Sequence, residues 1–217
     1  MDNIGKSVII LSLLGVGILY GISLTSFVES PYVPLEAVAV GTHEGAFIRT
    51  KGVITDFRIT EYGDVLTIGV NKTELPIFVD SAGEELLTLS YGDEIEVQGR
   101  VQLYKGRYEL VAAENGIKRL IYGNENTSFV SQIAMRPEEY ERRRVSVVGY
   151  AGDVYKRVFY LCDEKGKYRM RVKVEAEAGD SIISGLQKGD KIIAEGVFVY
   201  DPENTRYELN LISLRRC

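Results

Sequence analysis

The feature that most constrains this chain is that one stretch of it is written twice. Residues 91–110 read YGDEIEVQGRVQLYKGRYEL, and residues 188–209 read KGDKIIAEGVFVYDPENTRYEL. In register the two copies keep an offset of 97 residues. Gly52 falls on Gly149, Asp56 on Asp153, Leu75 and Ile77 on Val172 and Val174, Gly92-Asp93 on Gly189-Asp190, and Gly99 on Gly196. The last hairpin of the second copy is two residues longer, so Arg107-Tyr108-Glu109-Leu110 matches Arg206-Tyr207-Glu208-Leu209. Length changes confined to turns, while apolar positions keep step, indicate a duplicated structural unit.

Alternation at a period of two, punctuated by Gly, Asn and Asp, predicts five strands in each copy. They fall near 46–57, 64–71, 74–80, 92–104 and 107–120, then near 143–154, 157–163, 167–175, 190–200 and 205–215. A short helix is predicted between the third and fourth strands, at 81–90 and at 179–187. That order is the order of the OB-fold, a small Greek-key barrel. The expected architecture is all-β: two tandem five-stranded OB-type Greek-key barrels after one N-terminal transmembrane helix. The anchor occupies residues 1–30, the first barrel 37–121, a linker 122–130, and the second barrel 131–217.

The anchor rests on Ser7 to Val28, 22 residues without a charge. As a helix this stretch would be about 33 Å long at about 1.5 Å per residue, enough for a bilayer core. Pro31 and Pro34 stop any helix soon after. A cleaved signal peptide is the rival reading, but the apolar run is long and no small-x-small site follows it. Lys6 precedes the stretch, and no Lys or Arg follows until Arg49. The charge bias therefore predicts a single-pass membrane protein with its barrels extracytoplasmic.

Few chemistries survive a search for reactive residues. The chain has one histidine, His43, and two cysteines, Cys162 and Cys217, with no CxxC spacing. No catalytic residue, metal site or cofactor is expected, because no P-loop, GxSxG, HExxH or paired-carboxylate motif is present. A disulfide between the two cysteines stays open, with two free thiols the simpler arrangement. The net charge of −5 excludes a protein coated in cations for bulk nucleic-acid packaging.

The pattern MRPEEYERRRVSVVGYAGDV, then FYLCDEKGKYRMRVKV, then LQKGDKIIAEGVFVY resembles the OB-fold nucleic-acid-binding domains of the tRNA-anticodon and helicase type. The matching motifs are an L-x-D-x-x-G hairpin (Leu161, Asp163, Gly166) and a fourth strand opening on Gly189-Asp190. The first copy is similar through Gly92-Asp93 and Gly99 but lacks the L-x-D-x-x-G hairpin. The resemblance covers about residues 40–216 and implies single-stranded nucleic acid as a candidate partner. The membrane-anchored haem chaperones of cytochrome c maturation also carry one anchor and an OB-like barrel. They attach haem through a C-terminal histidine motif that this chain lacks.

Charge divides unequally between the copies. Residues 37–122 hold 9 Lys/Arg against 13 Asp/Glu, a net of −4, whereas residues 129–217 hold 16 against 14, a net of +2. In the second copy Lys167, Arg169, Arg171 and Lys173 share one face of a strand, and Tyr160 is expected beside them. A cationic track with an aromatic platform suits a single-stranded phosphate backbone and its bases. A second candidate is the hairpin tip Tyr104-Lys105-Gly106-Arg107-Tyr108, where two tyrosines alternate with two cations. The predicted function is a non-enzymatic, membrane-anchored module that binds single-stranded nucleic acid, mainly through the second barrel, since the equivalent outer positions of the first copy, Glu74, Pro76, Phe78 and Asp80, would repel phosphate. The alternative is an extracytoplasmic module that binds a protein partner or glycan.

Overall fold

The computed structural model describes residues 11–18, 30–80, 84, 86–123, 126–175, 183 and 185–217. The chain divides into two units, Met1–Pro31 and Tyr32–Cys217. In the first, residues 11–18 form a helix. No helix among the described residues is long and apolar enough to span a membrane. This corrects the single-pass membrane location, and with it the extracytoplasmic placement of the barrels, which depended on the span. The remainder of residues 7–28 lies outside the described residues.

In the second unit, strands β1 (Phe47–Ile59), β2 (Asp64–Val70), β3 (Thr73–Val79), β4 (Glu94–Tyr104) and β5 (Arg107–Ile121) close into a barrel in the order β1-β2-β3-β5-β4. Strand β6 (Thr127–Phe129) is followed by β7 (Arg144–Val154), β8 (Val158–Cys162), β9 (Arg169–Lys173), β10 (Lys191–Asp201) and β11 (Arg206–Arg216). Their sheet order is β10-β11-β9-β8-β7-β6, and a further β10–β7 pairing closes the last five strands into a second barrel. Both barrels share the parallel pairing of third with fifth strand, β3 with β5 and β9 with β11. Two closed five-stranded barrels in this order are OB-type, and the duplication is structural.

Alternation drives the closure. Along β3 the pattern is Leu75, Ile77 and Val79 buried, with Glu74, Pro76 and Phe78 on the outer face. Along β9, Met170 and Val172 turn inward while Arg169 and Lys173 face solvent. Glycine is required where β4 meets β5, because a Cβ on Gly99 would sit 2.3 Å from the Val111 carbonyl oxygen. The equivalent Gly196 would meet the Asn210 oxygen at 2.2 Å. Both positions adjoin a register shift, which is how the long fourth strand coils round the barrel. The Gly-Asp pair opening that strand is a cap: Asp93 accepts from the Ser90 amide, and Asp190 from the Gln187 amide.

The unit begins earlier than the strands alone suggested. A helix α1 (Leu35–Ala39) precedes β1, and α2 (Val130–Met135) with α3 (Pro137–Tyr140) precedes β7. Tyr32 bridges β1 in parallel at Arg49, as β6 pairs with β7 in parallel. Residues 127–129 of the expected linker are thus strand β6. Of the helix expected at 81–90, residues 84 and 86–90 are described and hold only a 3-10 turn, Leu86–Thr88; the helix expected at 179–187 lies mostly outside the described residues.

The barrels share a core. Phe129, Val148 and Ile193 belong to the same buried cluster as Phe57, Leu86 and Leu89 of the first barrel. Phe129 packs against the Phe57 and Tyr91 rings at 5.9 and 6.3 Å between centroids. Gln132 of α2 is buried, and its Nε2 donates to the Leu87 and Leu89 carbonyls at 3.2 and 2.7 Å. Lys191 Nζ donates to the Thr55 carbonyl at 2.7 Å, and the Tyr150 hydroxyl to Asp56 Oδ2 at 2.9 Å.

Candidate nucleic-acid interface

The cations of β9 stand on the outer face, as alternation requires, but each has a partner within the chain. Arg169 Nη2 lies 2.9 Å from Asp153 Oδ2, with its guanidinium stacked over the Tyr160 ring at 4.7 Å. Asp153 also takes Lys188 at 3.2 Å, and Lys188 and Arg169 together hold its carboxyl below the usual range. Arg171 forms a tight ion pair with Glu208 on the neighbouring β11, and Lys173 reaches the same carboxylate at 3.7 Å. Glu208 is buried. Lys167 Nζ turns to the first barrel and donates to the Ile59 carbonyl at 3.2 Å.

Asp163 explains the L-x-D-x-x-G hairpin between β8 and β9. Its Oδ1 accepts the Tyr168 amide at 3.1 Å, its carbonyl accepts the Gly166 amide, and Gly166 takes φ +71°. The motif therefore shapes a turn. That turn carries Glu164, Lys165 and Lys167 against the first barrel, where Glu164 pairs with Arg58 at 3.1 Å.

A second cationic surface, with exposed rings, is on the first barrel. A groove of about 620 Å³ runs across the outer face of β2 and β3, between the β1–β2 loop and the β4–β5 hairpin. Its cations are Arg58, Lys105, Arg107 and Lys165; its rings are Tyr62, Phe78 and Tyr104. Tyr62 is 80% exposed and Tyr104 51% exposed. Lys105 Nζ lies 4.9 Å from the Tyr104 ring centroid. No ion pair ties Lys105 or Arg107 to a carboxylate among the described residues. Glu164 answers Arg58 and, at 3.6 Å, Lys165. A second hollow of about 300 Å³ continues the groove toward the second barrel, sharing Arg58, Thr60, Tyr62 and Lys165 and adding Ile59, Lys167 and the carboxylates Glu61 and Asp163.

Of the hairpin-tip residues, Tyr104, Lys105 and Arg107 come together in the groove. Tyr108 does not: it packs beside Gly41, and its hydroxyl donates to Glu44 at 3.3 Å. The Glu44 charge pushes the Tyr108 hydroxyl pKa up. Tyr62, Phe78, Arg58 and Lys165 were not among the residues the sequence singled out. Thr60-Glu61-Tyr62-Gly63 between β1 and β2 was the available signal, since that loop borders the ligand face of an OB barrel. Lys165 could be placed there only by knowing how the barrels pack. The matching tip in the second barrel is closed on itself, with Asp201 accepting from the Asn204 side chain at 2.8 Å and from the Glu203 and Asn204 amides.

No family model matches the chain. A protein of Methanocaldococcus jannaschii, itself uncharacterised, is 36% identical over 114 residues, which take in 45% of this chain and 55% of that protein. The chain thus spans about half the length of the curated relative it matches. Among solved structures, fission yeast Pot1 with single-stranded DNA aligns at TM-score 0.35 and 9% identity, over 86% of this chain and 88% of that one. Asparaginyl-tRNA synthetase from Pyrococcus horikoshii aligns at TM-score 0.36 and 16% identity, over 44% of this chain and 24% of that one.

Proposed function

We propose that this chain is a non-enzymatic module that binds single-stranded nucleic acid, with its main grip in the groove of the first barrel. The observation that carries this reading is four cations and three aromatic rings converging on one open groove. Cations meet phosphates, rings stack on bases, and both contacts tolerate any sequence. In this reading Tyr104, Lys105 and Arg107 hold one end of the strand, and Lys165 and Lys167 lead it toward the second barrel. Tyr160, Arg169, Arg171 and Lys173 form a weaker secondary track, because a phosphate there must compete with Asp153 and Glu208. Tyr108 supports the hairpin from behind.

The test is the binding of a fluorescein-labelled 12-nucleotide strand, followed by anisotropy at several salt concentrations. Each neutralised phosphate contributes about −0.7 to the slope of log K against log salt for single strands. Lys105→Glu with Arg107→Glu is expected to weaken binding roughly 10-fold or more and to flatten the slope by about 1.4. Arg169→Glu with Arg171→Glu is expected to have the smaller effect. Binding that ignores salt, or that is untouched by the hairpin double variant, defeats the reading.

A further inference from the structure

The two barrels treat one carboxylate in opposite ways. Glu109 on β5 and Glu208 on β11 are equivalent positions of the repeat, each in the sequence Arg-Tyr-Glu-Leu. Each faces the outer side of the barrel next to the third strand. In the second barrel β9 supplies Arg171 opposite Glu208, and the pair is sealed, with Glu208 only 4% exposed. In the first barrel the outward residues of β3 are Glu74, Pro76 and Phe78, and none can donate a hydrogen bond from its side chain. Glu109 is left half-buried in the groove wall among Pro76, Phe78, Tyr104 and Arg107. Its Oε1 accepts from Gln102 Nε2 at 2.6 Å across the β4–β5 ladder.

We infer that Glu109 is a specificity-determining residue of the groove and selects guanine, a step that rests on the binding function proposed above. A carboxylate among phosphate-binding cations and stacking rings does nothing for a phosphate backbone, which it repels. It accepts hydrogen bonds and donates none. In the other barrel the equivalent carboxylate is met at one oxygen by the Arg171 guanidinium and at the other by Lys173, so it faces two donors at once. Among the bases, guanine alone carries that pattern, as N1–H beside the C2 amino group. Thymine and uracil present one N–H between two carbonyls, and cytosine and adenine present one amino group beside an acceptor. Gln102 holds Oε1 of Glu109, a residue of the groove lining, and leaves the carboxylate with further acceptor capacity for a ligand. A guanine stacked on Phe78 or Tyr104 would complete in the first barrel the contact that Arg171 makes in the second.

The experiment uses the full chain and three labelled 12-nucleotide strands: all thymidine, the same with two central guanines, and the same with inosine at those positions. Inosine keeps N1–H and the carbonyl but lacks the 2-amino group. Binding of the guanine strand is expected to be roughly 10-fold tighter than that of the inosine strand, the size of one hydrogen bond to a charged group. In Glu109→Gln the guanine and inosine strands are expected to bind alike, and Gln102→Ala is expected to narrow the gap in part. Equal binding of the guanine and inosine strands by the native chain overturns the inference while leaving the function standing. A preference that survives in Glu109→Gln overturns it as well. Failure of all three strands to bind defeats the function and the inference together. Competition of a short arginine-rich peptide for an otherwise unselective groove would assign Glu109 to a protein ligand instead, again against the inference.

Discussion

If the two barrels share a core, removing the ring that joins them should weaken both at once. Phe129 is 3% exposed, lies on β6 of the second sheet, and packs on Phe57 and Tyr91 of the first barrel. Truncating a buried phenylalanine to alanine costs about 3–5 kcal/mol, from lost transfer energy and the cavity left behind. The upper half of that range is expected, because Phe57 and Tyr91 lose an aromatic partner and Gln132 holds the neighbouring backbone in place. For a unit of this size, about 2–4 °C per kcal/mol gives a fall of roughly 8–20 °C in Tm. The chain contains no tryptophan, so single reporters can be introduced at exposed tyrosines, Tyr104→Trp in the first barrel and Tyr155→Trp in the second. In the native background both reporters should report one transition. In Phe129→Ala the transitions should fall and separate, since the largest apolar contact that couples the barrels is gone while the polar contacts of Gln132, Tyr150 and Lys191 remain. Both reporters melting together at the native temperature would refute the shared core.

Two further outcomes follow from buried carboxyl groups. Asp64 is 1% exposed, its Oδ1 has no hydrogen-bond partner among the described residues, and burial with the nearby Glu114 charge pushes its pKa up to about 6. A carboxyl with a raised folded pKa favours the fold when protonated, so stability falls as pH rises from about 4 to about 6 and the penalty is complete above that. Asp64→Asn should therefore stabilise the chain at pH 7 by roughly 1–3 kcal/mol and make little difference near pH 4; urea titrations at the two pH values measure this, and destabilisation at pH 7 would count against it. Asp56 is 8% exposed, and burial raises its pKa despite Lys191 and the Tyr150 hydroxyl. Tyr150→Phe removes that donor and should cost about 1–2 kcal/mol at pH 7, with the loss shrinking in acid as Asp56 takes up its proton; an equal loss at pH 7 and pH 4 would show that the hydroxyl acts by packing alone.

What the sequence made legible was whatever depends on neighbours along the chain. Period-two alternation places Phe159 and Leu161 inside with Tyr160 outside, and the Gly-Asp pairs mark where the fourth strands begin. The Gly-Asp caps even keep the repeat's offset in their ion pairs, Asp93 with Arg119 and Asp190 with Arg216. What could not be read was set by contacts between distant segments. Arg171 meets Glu208 only because the third and fifth strands lie parallel and adjacent, a neighbour relation 37 residues apart that no local pattern encodes. The same holds for Lys165, which reaches the first barrel's groove because Gln132, Tyr150 and Lys191 dock the barrels. The short helices α1 and α2 escaped notice because they are of 5 and 6 residues, below the length at which helical periodicity registers.

Net charge misleads in this chain for a related reason. The first copy is the acidic one, yet its groove presents Lys105 and Arg107, which no carboxylate pairs among the described residues. The second is basic, yet its strand of cations is matched by Asp153 and Glu208. The acidic excess of the first barrel is spent largely away from the groove: Glu94 and Glu96 sit on β4 opposite β1, where they pair with Lys51 and Arg49 at 3.7 and 3.6 Å. Asp93 is buried beneath Arg119. Each of these carboxylates is matched by a cation beside it, so the pairs add little net charge to the field a strand meets in the groove. The field in the groove is set by what lines it, and there Lys105 and Arg107 outnumber Glu109. A sum over the whole copy therefore carries the wrong sign for the surface that matters, and the distribution of partners, residue by residue, carries the right one.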